Sequence, residues 1–273
     1  MPVPPGTVRA TWMGHSAVLL QYAGATVFTD PMLGRRASPL PLLGPARETP
    51  VPVDRRDLPM IDVVVLSHNH YDHLDRGSVK WLHRRDRPLF ICPPGVGAHL
   101  RGWLRGVRVV ELDWGESADL DAVGLRIHAT PACHFSRRTL SDGNRALWAS
   151  FYLEPLGESP SVYFAGDSGY APHFADVRER HGAPDLALMP IGAYEPRWIM
   201  KPVHLNPEEA VRASLDVGAR IVLGTHWGTF ILTDEPMDEP PARFLAEAAR
   251  LGLAGARVVP VGGMLEVTAG AGA

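Results

Sequence analysis

Lysine is almost missing from this chain: of 27 basic residues only Lys80 and Lys201 are not arginine, a bias of the kind GC-rich bacterial genes encode. Cysteine is equally scarce, with Cys92 and Cys133 alone. Two thiols cannot build the disulfide framework of a small secreted fold, and 273 residues bury enough apolar surface to do without one. A reducing, cytoplasmic location is therefore expected. Net positive charge is lacking too; the formal charge is −3, which offers a polyanion no dedicated surface and argues against a nucleic-acid role. No apolar run reaches the ~18 residues a membrane span needs. The opening "MPVPPGTVRATW" has neither a basic n-region nor an apolar h-region, so no signal peptide is expected. Repeats, low-complexity tracts and linkers are absent as well, and residues 1–273 read as one domain.

What remains is an ordinary globular composition, 45% hydrophobic and 21% charged, with 27 Gly and 26 Pro as punctuation. Residues 8–30 read as three short strands broken at Gly14 and at Ala23-Gly24. The segment 37–53, rich in Pro and Leu, fits neither a helix nor a central strand, because each Pro fixes φ and removes a donor. It reads as a surface loop, and "PLPLLGP" within it is equally compatible with touching lipid and with capping the fold. Further strands are expected at 61–66, 88–92, 108–112, 125–131, 146–154, 161–167, 186–192 and 220–226, with closing strands at 257–261 and 264–267. Helices are expected at 76–85, 95–106, 206–218 and 240–252. The third is the plainest: Asn206 as N-cap, Pro207 at N1, Glu208 and Glu209 in the first turn, Gly218 at the end. Strands in groups with helices between them suggest sheets covered by helices, a layered α/β/β/α sandwich.

One stretch is out of proportion. "SHNHYDHLD", Ser67 to Asp75, follows the apolar run "IDVVVL" and carries His68, His70, Asp72 and His73. Imidazole and carboxylate suit zinc and related first-row metals. His68 and His70, two apart in an extended turn, can face one point, and Asp72 and His73 a second. Three more strand ends finish in a potential ligand: His134 after "HATPAC", Asp167 after "VYFAG" and His226 after "IVLGT". Strand C-termini are where α/β folds gather their sites.

The pattern H-x-H-x-D-H followed by His, Asp and His resembles the metallo-β-lactamase superfamily over nearly the whole chain. The resemblance implies that fold and two Zn²⁺ (other first-row divalent metals being compatible). His68, His70 and His134 would hold one metal; Asp72, His73 and His226 would hold the other, with Asp167 bridging. A narrower resemblance is carried by "TWMGHSAVLL", "FAGDSGY", "IGAYEPRWIMKPVHLNPEEAV" and "THWGTF". These look like the phospholipase D family that hydrolyses N-acyl-phosphatidylethanolamine. That family implies a phosphodiesterase acting on a phospholipid; this chain begins almost at the fold itself. Two Zn²⁺ against Asp72, Asp167 and a hydroxide leave a net positive centre, which favours an anionic phosphoryl group. Asp72 would aim the hydroxide, and His204 would contact the phosphate or act as general acid, with a structural role as its competitor. Tyr194, Arg197, Trp198, Lys201 and Arg137 are candidate substrate contacts; solvated charge, salt bridge or core are the alternatives. Arg138 reads as a solvated charge, His15 as a packing residue of its loop, and both cysteines as core. The expected partner is a phospholipid or other phosphodiester, with peripheral membrane contact; the oligomeric state is left open, a homodimer included. A lactonase or β-lactamase-type hydrolase with the same metals is the nearest rival, and a non-catalytic metal- or lipid-binding protein the rival from another class.

Overall fold

The structure is a computed structural model that describes residues 2–40 and 42–270; Met1, Pro41 of the Pro/Leu loop and residues 271–273 lie outside them. The first of two seven-stranded sheets contains β1 (Thr7–Trp12), β2 (Val18–Gln21), β3 (Thr26–Thr29), β4 (Val63–Val65), β5 (Leu89–Cys92) and β6 (Arg108–Glu111), side by side in chain order. The second contains β7 (Ser117–Leu120), β8 (Leu125–Thr130), β9 (Ser150–Pro155), β10 (Val162–Phe164), β11 (Leu186–Pro190), β12 (Ile221–Thr225) and β13 (Ala256–Arg257), again in order. β14 (Met264–Thr268) returns to the first sheet, antiparallel to β1. Each sheet starts as antiparallel hairpins and ends as parallel strands, from β3 to β6 and from β10 to β13.

The alternation of side chains along a strand creates the layers. Val63 and Val65 point between the sheets, where they join Ile127, Phe151, Phe164, Leu188 and Leu223 in one core. Val64 points outward, onto Val79 and Leu82 of α1 (Arg76–Arg85) and Leu100 of α2 (Val96–Trp103). On the far side, Ala187 and Met189 of β11 lie in a third cluster with Val177 of α3 (His173–His181). A short α4 (Arg197–Met200) precedes α5 (Pro207–Asp216) and α6 (Glu239–Leu251), and the latter two add Val211 and Phe244 to the same cluster. The order of layers is α/β/β/α. Strands buried on both faces read as unbroken apolar runs, which is why "VVV" of β4 shows no alternation in the sequence.

Some elements differ from expectation. β7, α3 and α4 were not foreseen: β7 is a short edge strand with no buried residue, and α3 buries only His173, Phe174 and Val177 among many charges. The strand expected at 146–154 begins at Ser150, because Leu147 and Ala149 bond instead to Pro94 and Ser67. The strand expected at 257–261 stops at Arg257; Pro260, three residues on, has no N–H to continue a ladder.

Candidate metal centre

The chain leaves the first sheet at Ser67, and the histidine loop is tied down on every side. His73 N and Leu74 N both bond to the His70 carbonyl, a tight turn that carries Asp72 and His73 away from His68 and His70. Asp75 then caps α1 by accepting from Gly77 N and Ser78 N. Arg138 closes the loop from outside. Its Nη1 donates to the carbonyls of Asn69 (2.7 Å) and Leu74 (2.8 Å), and its guanidinium lies 3.9 Å from the Tyr71 ring. Arg138 is therefore a clasp for the loop, a correction to its reading as a solvated charge.

Four strand ends deliver side chains to one place. His68 Nε2 lies 2.8 Å from His70 Nδ1, which lies 3.2 Å from His134 Nε2. Beside this trio, His73 Nε2 is 3.3 Å from His226 Nε2 and 3.3 Å from Asp72 Oδ2. Asp167 Oδ2 sits between the groups, 3.1 Å from both His73 and His226 Nε2 and 3.8 Å from His134 Nε2. Two of the groups of nitrogen and carboxylate donors close enough to share an ion are His68, His70, His134 and His15, Asp72, His73, His226.

Zinc–nitrogen bonds of 2.0–2.1 Å at tetrahedral angles put donor nitrogens about 3.3 Å apart, close to the spacings found here. The outward nitrogens are fixed as metal ligands require. His73 Nδ1 faces Asp30 Oδ2 at 2.6 Å, His134 Nδ1 donates to the Val203 carbonyl at 3.0 Å, and His68 Nδ1 meets Ser67 Oγ at 2.9 Å. Among the described residues, Asp167 Oδ1, His226 Nδ1 and His204 Nδ1 are buried with no hydrogen-bond partner. An orphaned buried carboxylate oxygen costs about 1–3 kcal/mol or more. The donor chemistry fits bound divalent metal.

The electrostatics agree. Burial would raise the Asp72 and Asp167 carboxyls, but the facing imidazoles outweigh it and hold both well below the usual carboxylate range. Burial would likewise lower His226; Asp167 and Asp72 outweigh it and hold His226 up at about 9. His204 has no such compensation, and burial pushes it down to about 4 despite Asp167 opposite.

His204 itself lies beside the cluster, its Nδ1 4.0 Å from Asp167 Oδ2 and its ring 5.0 Å from that of His134. Its position is set from behind. The capping box of Asn206 and Glu209 fixes the start of α5, and Glu209 also pairs with Arg197 Nη2 at 2.6 Å. Arg197 Nη1 in turn donates to the His204 carbonyl. Arg197 is thus engaged in holding His204. Tyr194 is fully buried, with its hydroxyl donated to Glu239 and Arg243 over its ring. The Tyr194 hydroxyl and both terminal nitrogens of Arg197 are therefore committed to protein partners, where substrate contacts were expected. Trp198 (82% exposed) and Lys201 stand out to solvent around α4, and exposed Arg137 donates from Nε to the Thr139 carbonyl. Cys133, expected in the core, is half-buried, 3.9 Å from His173 Nδ1.

Two residues were missed. Asp30 directly follows β3 and is fully buried, binding Ser67 N, Ser67 Oγ and His73. Its signal was available: an aspartate closing an apolar strand, as Asp167 does. His15, read as packing, has its Nε2 2.8 Å from Asp72 Oδ2; a lone His after Gly carries no such signal.

Comparison with known proteins bears on this cluster. A family model described as a beta-lactamase superfamily domain matches residues 25–227. An uncharacterised protein of Mycobacterium tuberculosis is 46% identical over 94% of this chain and 70% of its own length. The N-acyl-phosphatidylethanolamine-hydrolyzing phospholipase D 1 of Caenorhabditis elegans is 41% identical over 81% of the chain and 64% of its own length. The mitochondrial enzyme of that name from Saccharomyces cerevisiae is 40% identical over 85% of the chain. The chain spans only 50% of that yeast protein. Among solved structures, Igni18, a metallo hydrolase of Ignicoccus hospitalis, matches with a TM-score of 0.73 at 26% identity, covering 95% of this chain and 98% of its own.

Proposed function

The chain belongs to the beta-lactamase superfamily as a metal-dependent hydrolase, and from that membership we propose that it is a phosphodiesterase of phospholipase D type, cleaving N-acyl-phosphatidylethanolamine-like lipids. The observation that carries the reading is the 41% and 40% identity to two enzymes named for that reaction, over 81% and 85% of the chain. The site's own chemistry is compatible with it. His68, His70 and His134 would hold one metal and Asp72, His73 and His226 a second, with Asp167 between them. When bound, a zinc pair would supply an activated water and positive charge for the phosphoryl oxygens.

The rest falls to the chain's own groups. Asp72, 15% exposed at its side chain and close to the inner face of the cluster, orients the attacking water by accepting its hydrogen bond. His204 offers an unpartnered Nδ1 toward the same space and contacts a phosphoryl oxygen. Around α4 and the Pro/Leu loop, Trp198, Ile199, Leu42 and Leu43 are exposed apolar groups suited to a lipid surface. The contact proposed is peripheral and the location proposed is cytoplasmic; among the described residues no helix is long and apolar enough to cross a membrane.

Zinc-loaded and chelator-stripped protein should be assayed side by side on bis-p-nitrophenyl phosphate, nitrocefin and an acyl-homoserine lactone. Metal-dependent turnover of the phosphodiester supports the proposal. Turnover confined to the lactam or lactone would sink it, and bound zinc with no turnover of any ester would favour a binding protein.

A further inference from the structure

His15 sits in the turn between β1 and β2, buried, with a backbone φ of +56°. Residues other than glycine take that left-handed conformation uncommonly, histidine less rarely than most, and hold it where their surroundings fix it. Here they do. The His15 amide donates to Thr229 Oγ1 at 2.8 Å, and its carbonyl accepts from Trp12 Nε1 at 2.7 Å and from His226 N at 3.0 Å. His226, the residue fastened to it, has a φ of +63° as well. Two strained histidines from opposite ends of the chain are locked to each other through their backbones.

The side chain continues the link. Its Nε2 is 2.8 Å from Asp72 Oδ2, the same oxygen that faces His73 Nε2 at 3.3 Å and His226 Nε2 at 3.8 Å. Its ring lies on that of His226, with centroids 3.9 Å apart and planes 39° from parallel, and Phe230 meets it edge-on at 5.3 Å. We propose that His15 is a positioning residue of the metal centre: it donates to Asp72 Oδ2 to fix the rotation of that carboxylate, and it braces the His226 ring against tilting. Plain packing does not account for this arrangement. A ring that only filled space would not need its nitrogen aimed at a carboxylate that faces the cluster.

Packing and donation separate cleanly by substitution. His15→Phe keeps the ring and its stacking but cannot donate; His15→Gln keeps a donor at comparable reach and loses the ring. Zinc retention against a chromophoric chelator, with the absorption spectrum of the Co²⁺-loaded form, reads the effect without any substrate. His15→Phe should hold zinc about 10–100-fold more weakly than the parent, the usual cost of removing such a partner. Its Co²⁺ bands should shift, and His15→Gln should recover most of the lost affinity. Equal zinc retention by His15→Phe and the parent, or His15→Gln faring no better than His15→Phe, overturns the inference. Should the Phe variant not fold, His15→Leu replaces it in the same contrast with His15→Gln, melting temperatures matched, and the same two outcomes decide. The inference rests on the metal-centre reading alone. Absence of phosphodiester turnover in the parent protein would remove the proposed substrate and leave the chelator result standing.

Discussion

Asp30 orders three groups at once, holding Ser67 by its amide and hydroxyl and His73 by Nδ1. Replacing it by Asn keeps the shape and removes the charge that polarises His73. Asp30→Asn should weaken zinc binding by about tenfold or more, measured by chelator competition; unchanged retention would show that the carboxylate is dispensable. Proton balance gives a second prediction. In the metal-free protein His226 is held up at about 9, so at pH 7 it carries a proton that an incoming metal must displace. Zinc affinity should therefore rise as pH increases toward 9, and binding at pH 7 should release protons. Calorimetric titration in buffers of different ionisation enthalpy tests this; a heat independent of buffer contradicts it. At this scale the sequence was legible where a ligand-type residue closed an apolar strand. Such signals mark His68, His70, Asp72, His73, His134, Asp167 and His226, which the structure brings together. His15 was illegible because its role depends on a contact with Asp72 fifty-seven positions away.

Elements place these residues through backbone contact as much as through side chains. A methyl group at Gly192 would stand 2.3 Å from the His226 carbonyl, with no flexible side chain to yield. Gly192→Ala should displace His226, lowering both melting temperature and zinc content. Gly102→Ala, on α2, where an added Cβ meets nothing within 4 Å among the described residues, is the matched control and should stabilise by about 0.5–1 kcal/mol. If both behave alike, the close approach at Gly192 is not what holds His226. At the other end, Asn206→Ala should cost about 1 kcal/mol in thermal or denaturant unfolding, the usual worth of an N-cap. Because Glu209 serves both the capping box and Arg197, that variant should also loosen His204. α5 was readable because capping chemistry is local and carried by four adjacent residues. α3 was not, because only three of its residues are buried, which leaves little apolar periodicity to read.

Across the whole molecule, both sheets open as hairpins and finish as parallel strands, and the ends of β4, β8, β10 and β12 bring their ligand-type residues to one place. That convergence is legible in the sequence as a recurring motif, an apolar run closed by His or Asp. The surface around it was not legible, since exposure follows from packing: Leu42 turns out to be 84% exposed, whereas the sequence left lipid contact and capping evenly matched. Leu42→Ser with Leu43→Ser should weaken co-sedimentation with phospholipid vesicles while leaving turnover of a water-soluble phosphodiester unchanged; equal losses on both would mean the loop supports the fold instead. The proposed reaction is tested most directly by isotope labelling. Zinc-loaded protein is incubated with N-acyl-phosphatidylethanolamine in ¹⁸O-labelled water, and the products are weighed by mass spectrometry. Attack at phosphorus requires phosphatidic acid carrying the heavy oxygen, together with an unlabelled N-acylethanolamine. Label in the ethanolamide, or release of fatty acid with no phosphatidic acid, would contradict it.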